Sequence, residues 1–180
     1  MLIYLGSFPS SDSYRLKVQE YTKKVGEVLA SKGVIDHFSV DFVAYQTQEG
    51  EWELSAIEIN LRQGGTTHPM MTLKLLTDGD YDEEEGHFVS IRGQRKFYVA
   101  SDNICGEDLK AFVPQDLMET FGGTELHFNA DTEKGCVFHL LGALSKYGKV
   151  GVTCIGDSPE EAQSIFDRTV EMLHQQAKVL

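Results

Sequence analysis

Between Ala56 and Pro69 the chain changes period within a few residues. An alternating run ends at Leu61, and Arg62-Gln63-Gly64-Gly65-Thr66-Thr67-His68-Pro69 follows with neither a strand nor a helix repeat. Alternation puts Glu58 and Asn60 on one face of a strand and Ile57, Ile59 and Leu61 on the other. A carboxylate and an amide carbonyl held side by side are hard ligands of the kind magnesium takes. That ion binds one or two protein carboxylates and completes its octahedron with water and nucleotide phosphates. An upstream run, Phe38 to Tyr45, carries Asp41 among apolar residues, a costly place for an acid unless a positive or hydrogen-bonding group meets it. Strands over about His37 to Gln46 and Trp52 to Leu61 are joined by Thr47-Gln48-Glu49-Gly50-Glu51, whose glycine suits a tight antiparallel connection. Folding that hairpin back brings Asp41 beside Glu58 and Asn60.

The remaining periods describe an α+β chain. Leu16, Tyr21, Val25, Val28 and Leu29 predict a helix from Tyr14 to Ser31, with Asp12 or Ser13 as N-cap and Gly33 just past its end. Pro69 can open a helix over Met70 to Leu76. Strands are expected near Phe88 to Ile91, Lys96 to Ala100, Glu125 to Phe128, Gly135 to Leu144 and Lys149 to Ile155, with a short helix over Pro114 to Phe121. The closing helix has the clearest start, with Ser158 as N-cap, Pro159 at N1 and Glu161 at N3. Ala162, Ile165, Phe166, Val170 and Leu173 then follow on one face.

Charge and cysteine content narrow the function classes. Lys and Arg total 16 against 28 Asp and Glu, a net charge of −12 with no basic run, so neither nucleic acid nor an anionic membrane is an expected partner. No apolar stretch has spanning length and no signal peptide opens the chain, which implies a cytoplasmic setting. The 180 residues and 41% hydrophobic content suffice for one domain with a real core, two compact domains being a tight fit. Cys105, Cys136 and Cys154 are far apart in sequence and odd in number, suggesting buried, reduced thiols rather than a disulfide framework or a zinc site. The acidic run Asp80 to Glu85 reads as a solvated loop. Gly142 to Val150 fails as a phosphate-cradling loop, because its glycine spacing is too long and Val150 stands where a hydroxyl is needed; a hairpin turn at Tyr147-Gly148 is expected instead.

Several pieces together span nearly the whole chain: Val40-Asp41-Phe42, Ala56 to Arg62, Gly64 to Pro69, Phe97 to Asp102, Val137 to Ala143 and Gly156 to Ala162. In them the chain resembles the second half of an ATP-grasp ligase, similar to the carboxylate–amine ligases of the pheganomycin peptide-ligase type. The resemblance implies an α+β fold with a mainly antiparallel sheet and packed helices, the second (C-terminal) lobe of an ATP-grasp fold over 1–180. It implies that Asp41, Glu58 and Asn60 hold the Mg²⁺ (or Mn²⁺) ions bridging the ATP phosphates, and that Arg62 stabilises the transferring phosphoryl group or the acyl phosphate. The implied reaction joins a carboxylate substrate to an amine or amino-acid substrate. Complete enzymes of this kind carry a further domain and a lysine-bearing nucleotide lobe ahead of the matching region. The chain is therefore expected to be a fragment of a longer ligase, incomplete for catalysis alone, its partner being the missing N-terminal lobe or a homo-oligomer.

Other side chains admit two readings. His68, in the glycine-rich loop, is placed to contact a substrate carboxylate or phosphate, or to act as a structural hydrogen-bond donor. Arg92, Arg95 and Lys96 reach an acidic ligand or simply deter edge pairing of a strand, and His139 reads as a core histidine. Two rival functions use the same residues: a non-catalytic module that keeps the fold for binding, and a metal-dependent phosphohydrolase.

Overall fold

The computed structural model describes residues 2–5 (as backbone), 14–82 and 84–179. The chain divides into two compact units, 8–68 and 1–7 with 69–180.

The first unit is a helix and a hairpin. Helix α1 (Arg15–Ser31) ends where Gly33, at φ 83°, turns the chain left-handed. Its amide donates to the Ala30 carbonyl and that of Val34 to the Leu29 carbonyl, the two bonds that close a Schellman ending. The expected N-cap, Asp12 or Ser13, lies outside the described residues. The helix face turned inward is Val18, Thr22, Val25 and Leu29, whereas Leu16, Tyr21 and Val28 are exposed, so the apolar stripe expected from the sequence mixes two faces. The hairpin pairs β2 (Ser39–Gln46) with β3 (Trp52–Asn60). Its turn is closed by the Thr47 amide on the Glu51 carbonyl (2.8 Å) and the Gly50 amide on the Thr47 carbonyl (3.0 Å), with Gly50 at φ 86°.

The second unit is an antiparallel sheet with helices on both faces. It begins with β1 (Leu2–Leu5); α2 (Thr67–Thr77) leads in from the first unit, followed by β4 (Asp80–Asp82), β5 (His87–Val89) and the long β6 (Arg95–Cys105). After a 3₁₀ turn (Asp108–Ala111) come α3 (Pro114–Gly122), β7 (Gly135–His139), a second 3₁₀ turn (Leu141–Ala143), α4 (Leu144–Tyr147), β8 (Lys149–Gly156) and α5 (Pro159–Ala177). The strand order is β4-β5-β6-β8-β7, with β1 also paired to β6. Alternation along the central strands divides the core. Val99, Val152 and Cys154 pack with Phe166 and Leu173 of α5, while Tyr98, Ala100 and Ile155 pack with Leu73 of α2.

Most expected elements are present, with five differences. Helix α2 starts at Thr67, two residues before Pro69, which the first helical turn tolerates because its missing N–H has no intrahelical partner to lose. Glu125 to Phe128 is not a strand: it touches β7 through one parallel bridge, His127 to Cys136. β7 stops at His139 because Leu140 takes φ 57° and the chain turns into helical geometry. The connection to β8 is a helical turn, not a tight hairpin, and Gly148 closes it at φ 59°, where an added Cβ would lie 2.1 Å from the Gly106 carbonyl oxygen. The acidic run, expected as loop throughout, supplies β4.

Candidate functional site

Register decides which oxygens share a surface. Asp41 lies directly opposite Glu58, and Ser39 opposite Asn60, so all four side chains project from one face of the hairpin. A register shift follows at once: Phe42 pairs with Ala56, leaving Ile57 without a partner. Without this β-bulge the register set by the turn would place Asp41 opposite Ile57, so the bulge is what puts Asp41 on the face of Glu58 and Asn60. The opposite face carries Val40, Phe42, Leu54 and Trp52, each partly buried, and Trp52 lies 5.1 Å from the Tyr14 ring while Lys17 Nζ donates to its carbonyl at 2.9 Å. Helix α1 thus covers the apolar face and leaves the acidic one open. Asp41 and Glu58 are exposed and Asn60 is half-buried.

The glycine-rich segment closes on itself. The Thr67 hydroxyl accepts from the Gly64 amide (3.0 Å), and the Thr67 amide donates to the Gly64 carbonyl (3.1 Å). Arg62, two residues past Asn60, is exposed and donates to the Gln63 carbonyl at 3.4 Å. His68 is the second residue of α2 and is exposed. Asp41, Glu58 and Asn60 are therefore brought together on one face. Arg62 and His68 follow on the segment leaving it. Ser39 is a fourth oxygen on that face which the sequence reading passed over, although the Ser39-x-Asp41 alternation carries it.

The donor set fits a hard divalent cation. Among the described residues no three His, Cys, Asp or Glu side chains gather closely enough to hold a metal by themselves. The hairpin instead offers two carboxylates and an amide oxygen. That number suits Mg²⁺, which keeps several positions for water and phosphate, and the exposure of Asp41 and Glu58 leaves those positions reachable.

A second charged cluster lies in the other unit, and it corrects the reading of Lys96 as an edge residue. Lys96 is fully buried. Its ammonium donates to Asp157 Oδ1 (2.6 Å) and the Thr132 carbonyl (3.1 Å) and stands 3.7 Å from Glu133 Oε2. Glu133 is 3% exposed, at φ 54°, and that oxygen accepts no hydrogen bond. Lys134 bridges Asp157 (3.3 Å) and Glu161 (2.9 Å). Burial alone would raise the Asp157 carboxyl, but the Lys96 and Lys134 ammoniums outweigh it and hold the group below the usual carboxylate range. Every charge here has an opposite charge beside it, which marks the cluster as a structural clamp between the 132–134 loop, β6 and the start of α5. His139 is half-buried and its ring occupies the space above Gly151, where an added Cβ would come within 2.2 Å of Nε2.

Comparison with known proteins bears on the fold and its relatives. Residues 116–169 match the PGM1 C-terminal domain. The chain is 31% identical over 166 residues to the L-propargylglycine–L-glutamate ligase of Streptantibioticus cattleyicolor, an alignment covering 92% of this chain and 33% of that protein. It thus spans about a third of the length of the curated relative. A crystal structure of carboxyaminoimidazole ribonucleotide synthase from Aspergillus clavatus, complexed with ATP, superposes with a TM-score of 0.51 at 16% identity, over 97% of this chain and 43% of that one. The phosphoribosylaminoimidazole carboxylase ATPase subunit of Aquifex aeolicus gives 0.49 at 18% identity, over 96% and 46%. The chain is a distant homologue of the propargylglycine–glutamate ligase, is related to ATP-grasp ligases, and has an α+β, ATP-grasp-like fold with antiparallel sheets. Among the described residues no helix is long and apolar enough to cross a membrane.

Proposed function

We propose that this chain carries the Mg²⁺–ATP edge of a cytoplasmic ATP-dependent carboxylate–amine ligase of the peptide-forming type. The observation that carries this reading is the cross-strand register of Asp41 with Glu58, with Asn60 on the same open face and Arg62 just beyond. Asp41, Glu58 and Asn60 would hold the cation, with Mn²⁺ able to substitute. When bound, the ion supplies charge neutralisation and a template for the nucleotide phosphates. Arg62 then contributes a planar guanidinium suited to the equatorial oxygens of the transferring phosphoryl group, where negative charge builds. His68, at the start of α2, supplies a ring N–H to a phosphate or to the substrate carboxylate.

In the proposed reaction a carboxylate oxygen of the first substrate bonds to the γ-phosphorus as the bond to the β-phosphate oxygen breaks, releasing ADP. The amine of the second substrate attacks the acyl carbon, loses its proton to solvent, and expels inorganic phosphate. Homology to a ligase that joins two amino acids supports this over phosphate release to water. The remaining nucleotide contacts would come from a first lobe, in the same longer protein or on another chain.

Calorimetric titration of the purified chain with ATP tests the binding half. Saturable heat is expected with Mg²⁺ present and none with EDTA or in Asp41→Asn. In a ligase containing this segment, ADP release should require both a carboxylate and an amine. ADP released without the amine would favour a phosphohydrolase, and no nucleotide binding in either protein would favour a binding module.

A further inference from the structure

Two of the three cysteines, 18 positions apart in sequence by their numbers, are cross-strand neighbours in the fold. Cys136 on β7 pairs with Cys154 on β8 in antiparallel register, so their side chains share one face of the sheet. The pair is of the narrow kind. The Cys136 amide donates to the Leu126 carbonyl (2.6 Å) and its carbonyl accepts from the Phe128 amide (3.2 Å), so both backbone groups of Cys136 point away from β8. Cys136 and Cys154 therefore form a non-hydrogen-bonded pair, where Cα atoms lie about 4.5 Å apart and side chains approach most closely. That separation falls at the short end of the range a disulfide spans, roughly 4.4–6.8 Å.

We propose that Cys136 and Cys154 are an oxidation site that closes to an intramolecular disulfide under a hydroperoxide, stapling β7 to β8. In the first step the Cys136 thiolate attacks one peroxide oxygen. The O–O bond breaks, a sulfenic acid forms, and the departing oxygen takes up the proton the thiol lost. The Cys154 thiolate then attacks the sulfenic sulfur, the S–S bond forms, the S–O bond breaks, and hydroxide leaves as water with the second thiol's proton. Two thiols lose two electrons and two protons, and the peroxide becomes an alcohol and water. Burial pushes both thiols up, that of Cys136 to about 11, and Cys136 goes first because it alone of the two keeps a trace of exposure. Cys136 is 1% exposed and Cys154 is fully buried, so the reaction is slow and waits on opening of the sheet. The short Cα separation makes the product readily reducible by small dithiols.

The test uses the full chain carrying Cys105→Ser, since Cys105 is exposed and would compete for the oxidant. After hydrogen peroxide treatment, alkylation in denaturant and digestion, mass spectrometry should find the peptides of Cys136 and Cys154 joined, lighter by two hydrogens and separated by dithiothreitol. The oxidised chain should melt higher by roughly 6–12 °C. Cys154→Ala should give neither the linked peptide nor the shift. The proposal is overturned if both thiols remain alkylatable under peroxide that fully oxidises Cys105 in the unsubstituted chain, if each passes separately to sulfinic acid, or if linkage occurs only between chains.

Discussion

Asp41 stands directly across the hairpin from Glu58, so two carboxylates face the same solvent-exposed surface with one strand spacing between their backbones. Like charges directly opposite on a sheet oppose pairing, and a divalent cation between them reverses the sign. Millimolar Mg²⁺ should raise the melting temperature of the chain. Asp41→Asn should raise the metal-free value by on the order of 1 °C and abolish the response to Mg²⁺. Scanning fluorimetry with and without EDTA reads both, and a full Mg²⁺ response in the variant would remove Asp41 from the site.

Lys96 should be far more costly to lose. Lys96→Met leaves Glu133 buried with only the half-exposed Arg92 guanidinium, 3.6 Å from its other oxygen, beside it, and the expected loss is about 3 kcal/mol in urea unfolding. Adding Glu133→Gln should recover part of that loss, because the two residues are coupled. Additive losses in the double variant would show that the two charges do not interact.

The same cluster sets an acid limit. A carboxyl held below its ordinary value contributes stability above that value and loses it as pH falls through the lower, folded-state value. Asp157 is such a group, its ordinary value being 3.8. Asp108, lowered by its 2.7 Å contact with His174, acts in the same direction. Melting temperature should be level from neutral pH down to about 5 and fall below about 4. Asp157→Asn should lower the plateau and shallow the fall; an unaltered acid limb would assign the limit to other groups.

Helix α5 depends on its first turn. Ser158 Oγ accepts from the Glu161 amide at 3.1 Å, while Glu161 Oε2 accepts from the Asp157 amide at 2.7 Å. Ser158→Ala should cost about 1 kcal/mol in denaturant unfolding, with Ser158→Asp close to neutral. A loss in Ser158→Asp as large as in Ser158→Ala would mean the cap is not what the serine supplies.

Which parts of this molecule can be read from sequence follows from the range of the forces involved. Helix α5 is legible because its cap, its Pro159 and its apolar stripe all lie within one short segment and agree. The hairpin itself is legible for the same reason: Gly50 marks the turn, and the short loop sets the pairing from Gln46 and Trp52 back to Phe42 and Ala56. The bulge at Ile57 is not, because it belongs to the relation between two strands. Nor is the inward face of α1, where Val18, Thr22, Val25 and Leu29 follow one stripe and Leu16, Tyr21 and Val28 offer a competing apolar pattern that only packing against the hairpin rejects.

By itself, then, the sequence determined the hairpin and its turn, the loop that leaves it and the capped final helix, since each is set by residues a few positions apart, while the bulge that turns Asp41 toward Glu58 belongs to the paired strands. Tertiary structure alone decided that Lys96 is a buried clamp and that Cys136 and Cys154 are neighbours. Burial and cross-strand pairing join residues whose separation along the chain carries no periodic signal, so the physical partner of each is fixed only when the sheet closes.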